Sequence, residues 1–458
     1  MGKQAGAGDR TGKLKVCIVG AGPHGLIVAR ALASLNVSYD QFERHSDVGG
    51  LWDLSNPGTP MYETCHYISS RNGTGYPDFP MPESLPDYPS QAQVLEYIRS
   101  FARAFNLYPN ITFGVEVTSA KELDGGDWEV VLSTGERRVY SALICCPGTN
   151  WSARMPDLAG ATSGRLIHSS AYKKVSEFDG KRVLVIGLGN SGADIACDAA
   201  RVAEAAFVSV RRGYHIVPKH LFGIPLLDYM HDPSVTPESM RGLELADIVR
   251  VITGDPTRYG FPKPDHELLE THPLLNTEIL HHLGHGRLKV KGPVERLDGA
   301  RVQFADGSFE EIDTIVCATG YDYAMPFLDS GYFEWEDGRP QLYLTAFNRA
   351  HPTLFAVGLL EAAGVPYAAA DQLALFMGAY LRDRSENPAR AAKFEQLLKD
   401  DFPDLKRGMN YVRNNRTVNY VNVEVYYEEI ERVRALMDYS ALLPGRYTPA
   451  PQAKTEAA

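Results

Sequence analysis

Two short glycine patterns carry the chemistry of this sequence. Gly20-Ala21-Gly22-Pro23-His24-Gly25 and Gly187-Leu188-Gly189-Asn190-Ser191-Gly192 both read GxGxxG. In such a turn the first glycine permits a tight change of direction, the second lets backbone approach a pyrophosphate, and the third lets helix and strand pack closely. The N-terminus of the following helix then offers free N–H groups and partial positive charge to phosphate. Behind the first turn, Glu43 closes the next strand and can accept hydrogen bonds from a ribose diol. Behind the second, the equivalent strand ends in Arg211-Arg212, whose guanidinium groups suit a 2′-phosphate. The second site is therefore predicted to prefer NADPH. One acidic and one basic dinucleotide site in a single chain predict a flavin nucleotide and NADPH meeting in a cleft.

Each turn needs a buried strand before it and a helix after it. LKVCIVG (14–20) and VLVIG (183–187) are apolar runs of strand length, and they flow into AGPHGLIVARALASL and LGNSGADIACDAARVA. Each therefore opens a βαβ unit, with VSYDQFE (37–43) and FVSVRR (207–212) as the second strands. QVLEYIRSFARAF (93–105) has the period of an amphipathic helix, and AADQLALFMGAYLRD (369–383) reads as a helix with a mostly apolar face. Strands are expected in WEVVLS (128–133), VYSALICCPG (139–148) and TLFAVGL (353–359). A hairpin turning at Ala305-Asp306-Gly307 precedes a buried strand that ends at Gly320. Residues 220–285 are richer in Pro, His and helix formers and read as an irregular helical insertion. The expected fold class is α/β with two Rossmann-like dinucleotide-binding domains. The first domain is discontinuous, 13–160 plus 310–447, and the second, 161–309, is inserted into it. The ends, 1–12 and 448–458, are expected to be disordered.

Further motifs surround the turns. Gly49-Gly50-Leu51-Trp52 follows Glu43, Tyr76-Pro77-Asp78-Phe79-Pro80 follows that, and Cys317-Ala318-Thr319-Gly320-Tyr321 ends a later strand. With the glycine patterns they resemble the flavin-containing monooxygenases of the class B flavoprotein group, over residues 14–430. The segment from Gly164 through His168 to Tyr172 is similar to that family's fingerprint FxGxxxHxxxY, with Thr162 in the Phe position. The related Baeyer–Villiger monooxygenases usually end the fingerprint in Trp, so Tyr172 leans towards the N- and S-oxygenating branch. The resemblance implies FAD held by Gly20, Ala21, Gly22, Pro23, Gly25 and Glu43, with Gly50, Leu51, Trp52, Thr319 and Gly320 along the flavin. It implies NADPH held by Gly187, Gly189, Asn190, Ser191 and Gly192, with Arg211 ahead of Arg212 as the phosphate ligand. Asn190 and Asn276 are implied near the nicotinamide–flavin contact, and Gly164, His168 and Tyr172 between the domains. One position departs from the family. Many members carry Asn where a gapless alignment across 62–80 puts Ile68, and isoleucine cannot hydrogen-bond an oxygenated flavin or substrate. Ser69, Ser70 or bound NADP⁺ are the candidates to replace that bond.

The activity so implied begins with hydride transfer from NADPH to FAD. O₂ then adds at flavin C4a, and the (hydro)peroxyflavin passes one oxygen to a soft nucleophile, a sulfide or an amine. Three alternatives stay open: Baeyer–Villiger oxidation of ketones by the same intermediate, an NADPH-dependent flavin reductase or oxidase, and a passive nucleotide-binding module. A disulfide reductase shares the double-site layout but needs a CxxC or similar pair, and none of the six cysteines forms one. Forty-six basic against 57 acidic residues, a formal charge of -11, argue against a nucleic-acid or anionic-membrane partner. No apolar run is long enough to span a bilayer, and MGKQAGAGDRTGK lacks the apolar stretch of a signal peptide. A soluble, cytoplasmic enzyme is expected, acting on a small molecule and O₂, with a homo-oligomer left open. No metal site is expected, because His281-His282-Leu283-Gly284-His285 has no acidic or cysteine ligand within the segment.

Overall fold

Two parallel sheets of five strands each carry the two glycine turns. In the computed structural model, which describes residues 14–362, 366–414, 416–439 and 447, the first sheet runs Leu354–Ala356, Ala142–Cys145, Lys15–Val19, Ser38–Glu43, Ile111–Phe113. The second runs Arg165–His168, Thr314–Cys317, Arg182–Ile186, Ala205–Ser209, Leu288–Lys291. Every pairing in both is parallel. Parallel sheets are covered on both faces, and the apolar central strands comply: Val16, Cys17, Ile18, Val183, Leu184 and Val185 expose no surface. In each sheet the strand leading into the glycine turn is the third of five. Its neighbours are the strand that follows it in the chain and one from much later, so the strand order reverses there. A crevice at the carboxyl ends of the strands results, above both turns. The α/β class and the paired Rossmann-like sheets are as expected. The expected disordered ends lie outside the described residues.

One boundary moves. The strand Thr314–Cys317, expected on the first-domain side of residue 310, lies in the second sheet between Arg165–His168 and Arg182–Ile186. Its Ile315, Val316 and Cys317 are fully buried there, and a run apolar on both faces needs a central position. The chain therefore returns to the first sheet only after Cys317. The run 139–148 also divides, at Ser141, into Arg137–Tyr140 of an antiparallel side sheet and the buried Ala142–Cys145. The hairpin at Asp306 forms, with Arg301–Phe304 paired to Phe309–Glu311. Between 220 and 285 lie the short helices Leu226–His231, Leu245–Thr253 and Glu278–Gly284. Among the described residues no helix is long and apolar enough to cross a membrane.

The helix after the first turn, Pro23–Ser34, is buried along most of its length against the helix Pro366–Glu386. Between them sits Arg30, whose Nη2 donates to Asp371 Oδ1 at 2.9 Å, with side-chain exposures of 2% and 0%. Nη1 donates to Pro77 O at 2.9 Å, and the ring of Tyr447 lies 3.8 Å below the guanidinium. Removing one partner of such a pair strands a buried charge, which costs about 3–5 kcal/mol, while replacing both by apolar groups of similar volume is close to neutral. Asp371→Ala should therefore lower the thermal midpoint by several degrees at fixed FAD loading. Arg30→Met combined with Asp371→Leu should recover most of that loss in the same melting experiment. A double variant as unstable as the single one would mean that the pair is worth more than its desolvation cost.

Candidate functional site

A cavity of about 560 Å³ opens at the carboxyl ends of both sheets, lined by residues of both glycine turns. The turns are built alike, atom for atom. Gly20 N donates to Phe42 O at 2.8 Å and Gly187 N to Ser209 O at 3.0 Å, each reaching the adjacent strand. Gly20 and Gly187 have φ of +99° and +97°, and a Cβ on them would lie 2.5 Å from Cys146 O and 2.7 Å from Ala318 O. On Gly25 and Gly192 a Cβ would strike the carbonyl of the turn's own first glycine, at 2.1 and 2.3 Å. Packing alone therefore demands glycine at these four positions.

The middle glycines differ. Gly22 (φ −70°, ψ −178°) and Gly189 (φ −85°, ψ −175°) have extended backbones that any residue adopts. A Cβ on Gly22 would make one ordinary contact, 3.6 Å from Gly50 Cα, and one on Gly189 would meet nothing within 4 Å. Both face the cavity, and both are helix N-caps without a side-chain cap. The helix amides thus lie open to a ligand in a cradle that a methyl group would fill. Both residues fit a dinucleotide pyrophosphate.

Around the first turn, Glu43 is 5% exposed, and its carboxylate accepts from Ala21 N at 2.7 Å and His45 N at 2.9 Å. It is held rigid at the cavity wall beside Pro23, the first residue of the helix. Gly50, Leu51 and Trp52 form one 3₁₀ turn that also lines the cavity, with Trp52 edge-on to Tyr67 at 5.1 Å. Gly320 lines it as well, whereas Thr319 turns away and donates to Arg154 O. His24 reaches the cavity from within the motif, and burial pushes its ring down to about 4, so it is neutral near pH 7.

Around the second turn, Asn190, Ser191 and Gly192 line the cavity with Gly189. Asn190 is tied at both ends of its amide, donating to Pro273 O at 3.2 Å and accepting from Leu275 N at 2.9 Å. The two arginines separate. Arg212 forms a bidentate pair with Asp265, at 2.7 and 2.8 Å from one amino group. Arg211 is exposed and makes no hydrogen bond or ion pair with any described residue. Arg212 therefore serves the loop, and Arg211 alone is free for an incoming phosphate.

Three sequence expectations are corrected here. Asn276 does not line the cavity: its Nδ2 donates to Asp194 Oδ1 at 2.6 Å, and its Oδ1 accepts from Ile279 N at 3.1 Å. Asp194 is the residue that reaches the cavity, its carboxyl pushed up by burial. Ser69 is not among the lining residues, and the Ser70 hydroxyl is committed to Asp228 Oδ1 at 2.9 Å, so neither serine replaces the bond missing at Ile68. Ile68 itself does line the cavity. The fingerprint residues hold the junction and do not touch the space. His168 Nε2 meets Gly320 O at 3.0 Å, and Gly164 passes so close to Asp313 O that a Cβ would lie 2.6 Å away. Tyr172, fully buried and stacked on Phe178, donates to Asp198 Oδ2 at 2.9 Å. Lys173 next to it donates to Thr59 O, Met61 O and Ser170 O, at 2.6, 3.1 and 2.7 Å.

Sequence reasoning missed His272, Arg339, Glu361 and Arg416, all of which line the cavity. They come from separate stretches of chain with no shared spacing, so only the fold assembles them.

This geometry agrees with comparison to known proteins. The family model for flavin-binding monooxygenase-like proteins matches residues 13–435. The chain is 32% identical over 376 residues to dimethylaniline monooxygenase (N-oxide-forming) 2 of Rattus norvegicus, covering 76% of this chain and 70% of that protein. It is also 32% identical over 377 residues to flavin-containing monooxygenase 5 of Homo sapiens, covering 77% and 70%. Among solved structures it resembles the form 1 crystal structure of the OTEMO complex with FAD and NADP, at a TM-score of 0.67 and 21% identity over 93% of this chain and 98% of that one. By the span of the family match and the identity to these relatives, the chain belongs to the flavin-binding monooxygenase-like family and is an FAD-dependent oxidoreductase.

Proposed function

We propose that the first turn and its sheet hold FAD, that the second hold NADPH, and that the enzyme inserts one oxygen atom of O₂ into a sulfide or amine. NADPH, a proton and O₂ are consumed; NADP⁺, water and the oxygenated product leave. The observation that carries this reading is the pair Gly22 and Gly189: two glycines that packing does not require, each at an uncapped helix N-terminus facing one cavity. Bound FAD would supply the chemistry that side chains lack, accepting hydride from NADPH and activating O₂. The chain binds, orients and excludes water. Glu43, immobilised by Ala21 N and His45 N, is preset to accept from a ribose diol. Leu51, Trp52 and Ile68 give apolar walls, which protect an oxygen-transferring site from water. The domains are then 13–160 with the chain after Cys317 for FAD, and 161–317 for NADPH. The acidic composition and six buried free thiols support action in the cytoplasm. A panel of sulfides, amines and ketones tests the activity, following oxygenated product against NADPH consumed. NADPH loss with peroxide as the only product in every case would overturn it.

Three variants probe the parts. Gly22→Val should leave the far-ultraviolet spectrum intact, because its side chain enters open space, and should strip the protein of FAD; full flavin occupancy in that variant would remove the first turn from the cofactor site. Arg211→Ala should raise the Michaelis constant for NADPH about tenfold or more, the worth of a charge-assisted hydrogen bond, with little change for NADH. Arg212→Ala, which breaks the pair with Asp265, should affect both nucleotides alike. Ile68→Asn should shift preference from hydrophobic sulfides towards amines and change the fraction of NADPH lost as peroxide, since an alkyl wall offers a cation nothing. An unchanged substrate ranking and peroxide yield would mean that position 68 lines the cavity away from the reacting centre.

A further inference from the structure

We propose that the substrate carries a carboxylate, and that Arg416 receives it. This rests on the oxygenation reading above and narrows it to thioethers or amines with an acidic group. Arg416 lines the cavity and keeps 43% of its side-chain surface. Its Nε donates to Glu361 Oε2 at 3.1 Å, and its two amino groups meet no acceptor among the described residues. A guanidinium anchored through Nε presents the remaining pair of N–H groups as a fork, the geometry that matches a carboxylate.

Arg339, 4% exposed, points Nη2 at the other oxygen of Glu361, 3.8 Å away. Two guanidiniums thus lie against one carboxylate, so Glu361 does not serve Arg416 alone. The neighbouring ring adds no charge: His272 is kept neutral by burial and by the charge of Arg416, with Nδ1 at 2.8 Å from the Tyr420 hydroxyl. Its Nε2 is buried without a partner beside the same space. Arg154, the other cation that Arg339 senses, is already paired with Asp322. A guanidinium fork on the cavity wall attracts an anion. It also repels a cationic amine.

The cofactors' phosphates have their own places, at the two glycine turns and Arg211. The fork belongs to none of these residues; it sits by His272, whose neighbour Pro273 accepts from Asn190 of the second turn. Ile68, Leu360 and Phe327 line the same cavity. The site suits an apolar body with one acidic end.

The test uses the FAD-loaded enzyme with NADP⁺, and three probes: para-(methylthio)benzoate, its methyl ester, and para-(methylthio)benzylamine. Calorimetry should give the acid about tenfold or more tighter binding than the ester, with the amine weakest. Arg416→Gln should erase the preference for acid over ester, and Arg416→Lys should retain part of it, because the charge survives and the fork does not. Sulfoxide formation under NADPH should follow the same order. Equal binding of acid and ester by the unaltered enzyme would overturn the proposal without any variant. So would an Arg416→Gln effect on the NADPH Michaelis constant as large as that on acid binding, which would assign the fork to cofactor phosphate. Selective acid binding with no sulfoxide from any probe would keep the anion site and overturn oxygenation. Sulfoxide formed equally from acid and ester would do the reverse.

Discussion

Two carboxylates one helical turn apart tie the second glycine-turn helix to the cavity-lining segment of the first domain. The helix Asn190–Val202 begins at the second glycine turn, and its Asp194 and Asp198 fall on one face. Asp194 accepts from Tyr62 at 3.0 Å and Asp198 from Thr64 at 2.6 Å, both on the segment of the first domain that lines the cavity. Burial raises both carboxyls, and each offsets it with several hydrogen bonds: Asn276 joins at Asp194, Tyr172 and Arg201 at Asp198. A buried carboxylate with its lone pairs filled is rigid, because any displacement leaves an unpaired charge in a poor solvent for it. The helix that would hold one pyrophosphate therefore also fixes the wall beside the other. Lys173 adds to the same seam, donating to Thr59 O and Met61 O across it and to Ser170 O of its own segment.

Identical backbones in the two turns serve opposite electrostatics. Each turn strand leads to a next strand, and the charge there differs: Glu43 ends one, and Arg211 lies just past the end of the other. The Glu43 carboxylate is buried and twice hydrogen-bonded before any ligand arrives, so its orientation is already settled. Arg211 is exposed and tethered to nothing, as suits a group that meets a phosphate near bulk solvent. Its neighbour is held away by Asp265, which leaves a single guanidinium for one phosphate.

The parts legible in the sequence are those that local backbone dictates. A GxGxxG turn needs its glycines for reasons contained within a few residues, and the apolar strands before them follow from burial on both faces. The strand 314–317 was legible as a strand but not as a member of the second sheet, because register with 182–186 is a long-range choice that its own composition does not encode. Asn276 was expected by family likeness near the contact, and instead it lies behind the cavity wall, donating to Asp194, which does line the cavity. Ser69 fails for a simpler reason: Ile68 takes the cavity-facing position next to it. The cluster of His272, Arg339, Glu361 and Arg416 left no trace, since residues that far apart in the chain become neighbours only in the fold.

That cluster and Glu43 lie on one cavity, which Arg44, Glu116 and Asp194 also line, and the two differ in how they are satisfied. Glu43 is satisfied by the protein's own amides, so a ribose adds to bonds already made. Arg416 is satisfied on one edge only, and Glu361, its single counter-charge, is shared with Arg339. His24 and His272, two of the histidines on the cavity, are both held neutral by burial near pH 7. A cavity wall with an open guanidinium fork favours a ligand that brings its own anion. The asymmetry thus reads as selectivity: the glycine turns would bind the cofactors, and the guanidinium fork would decide which small molecule is oxidised.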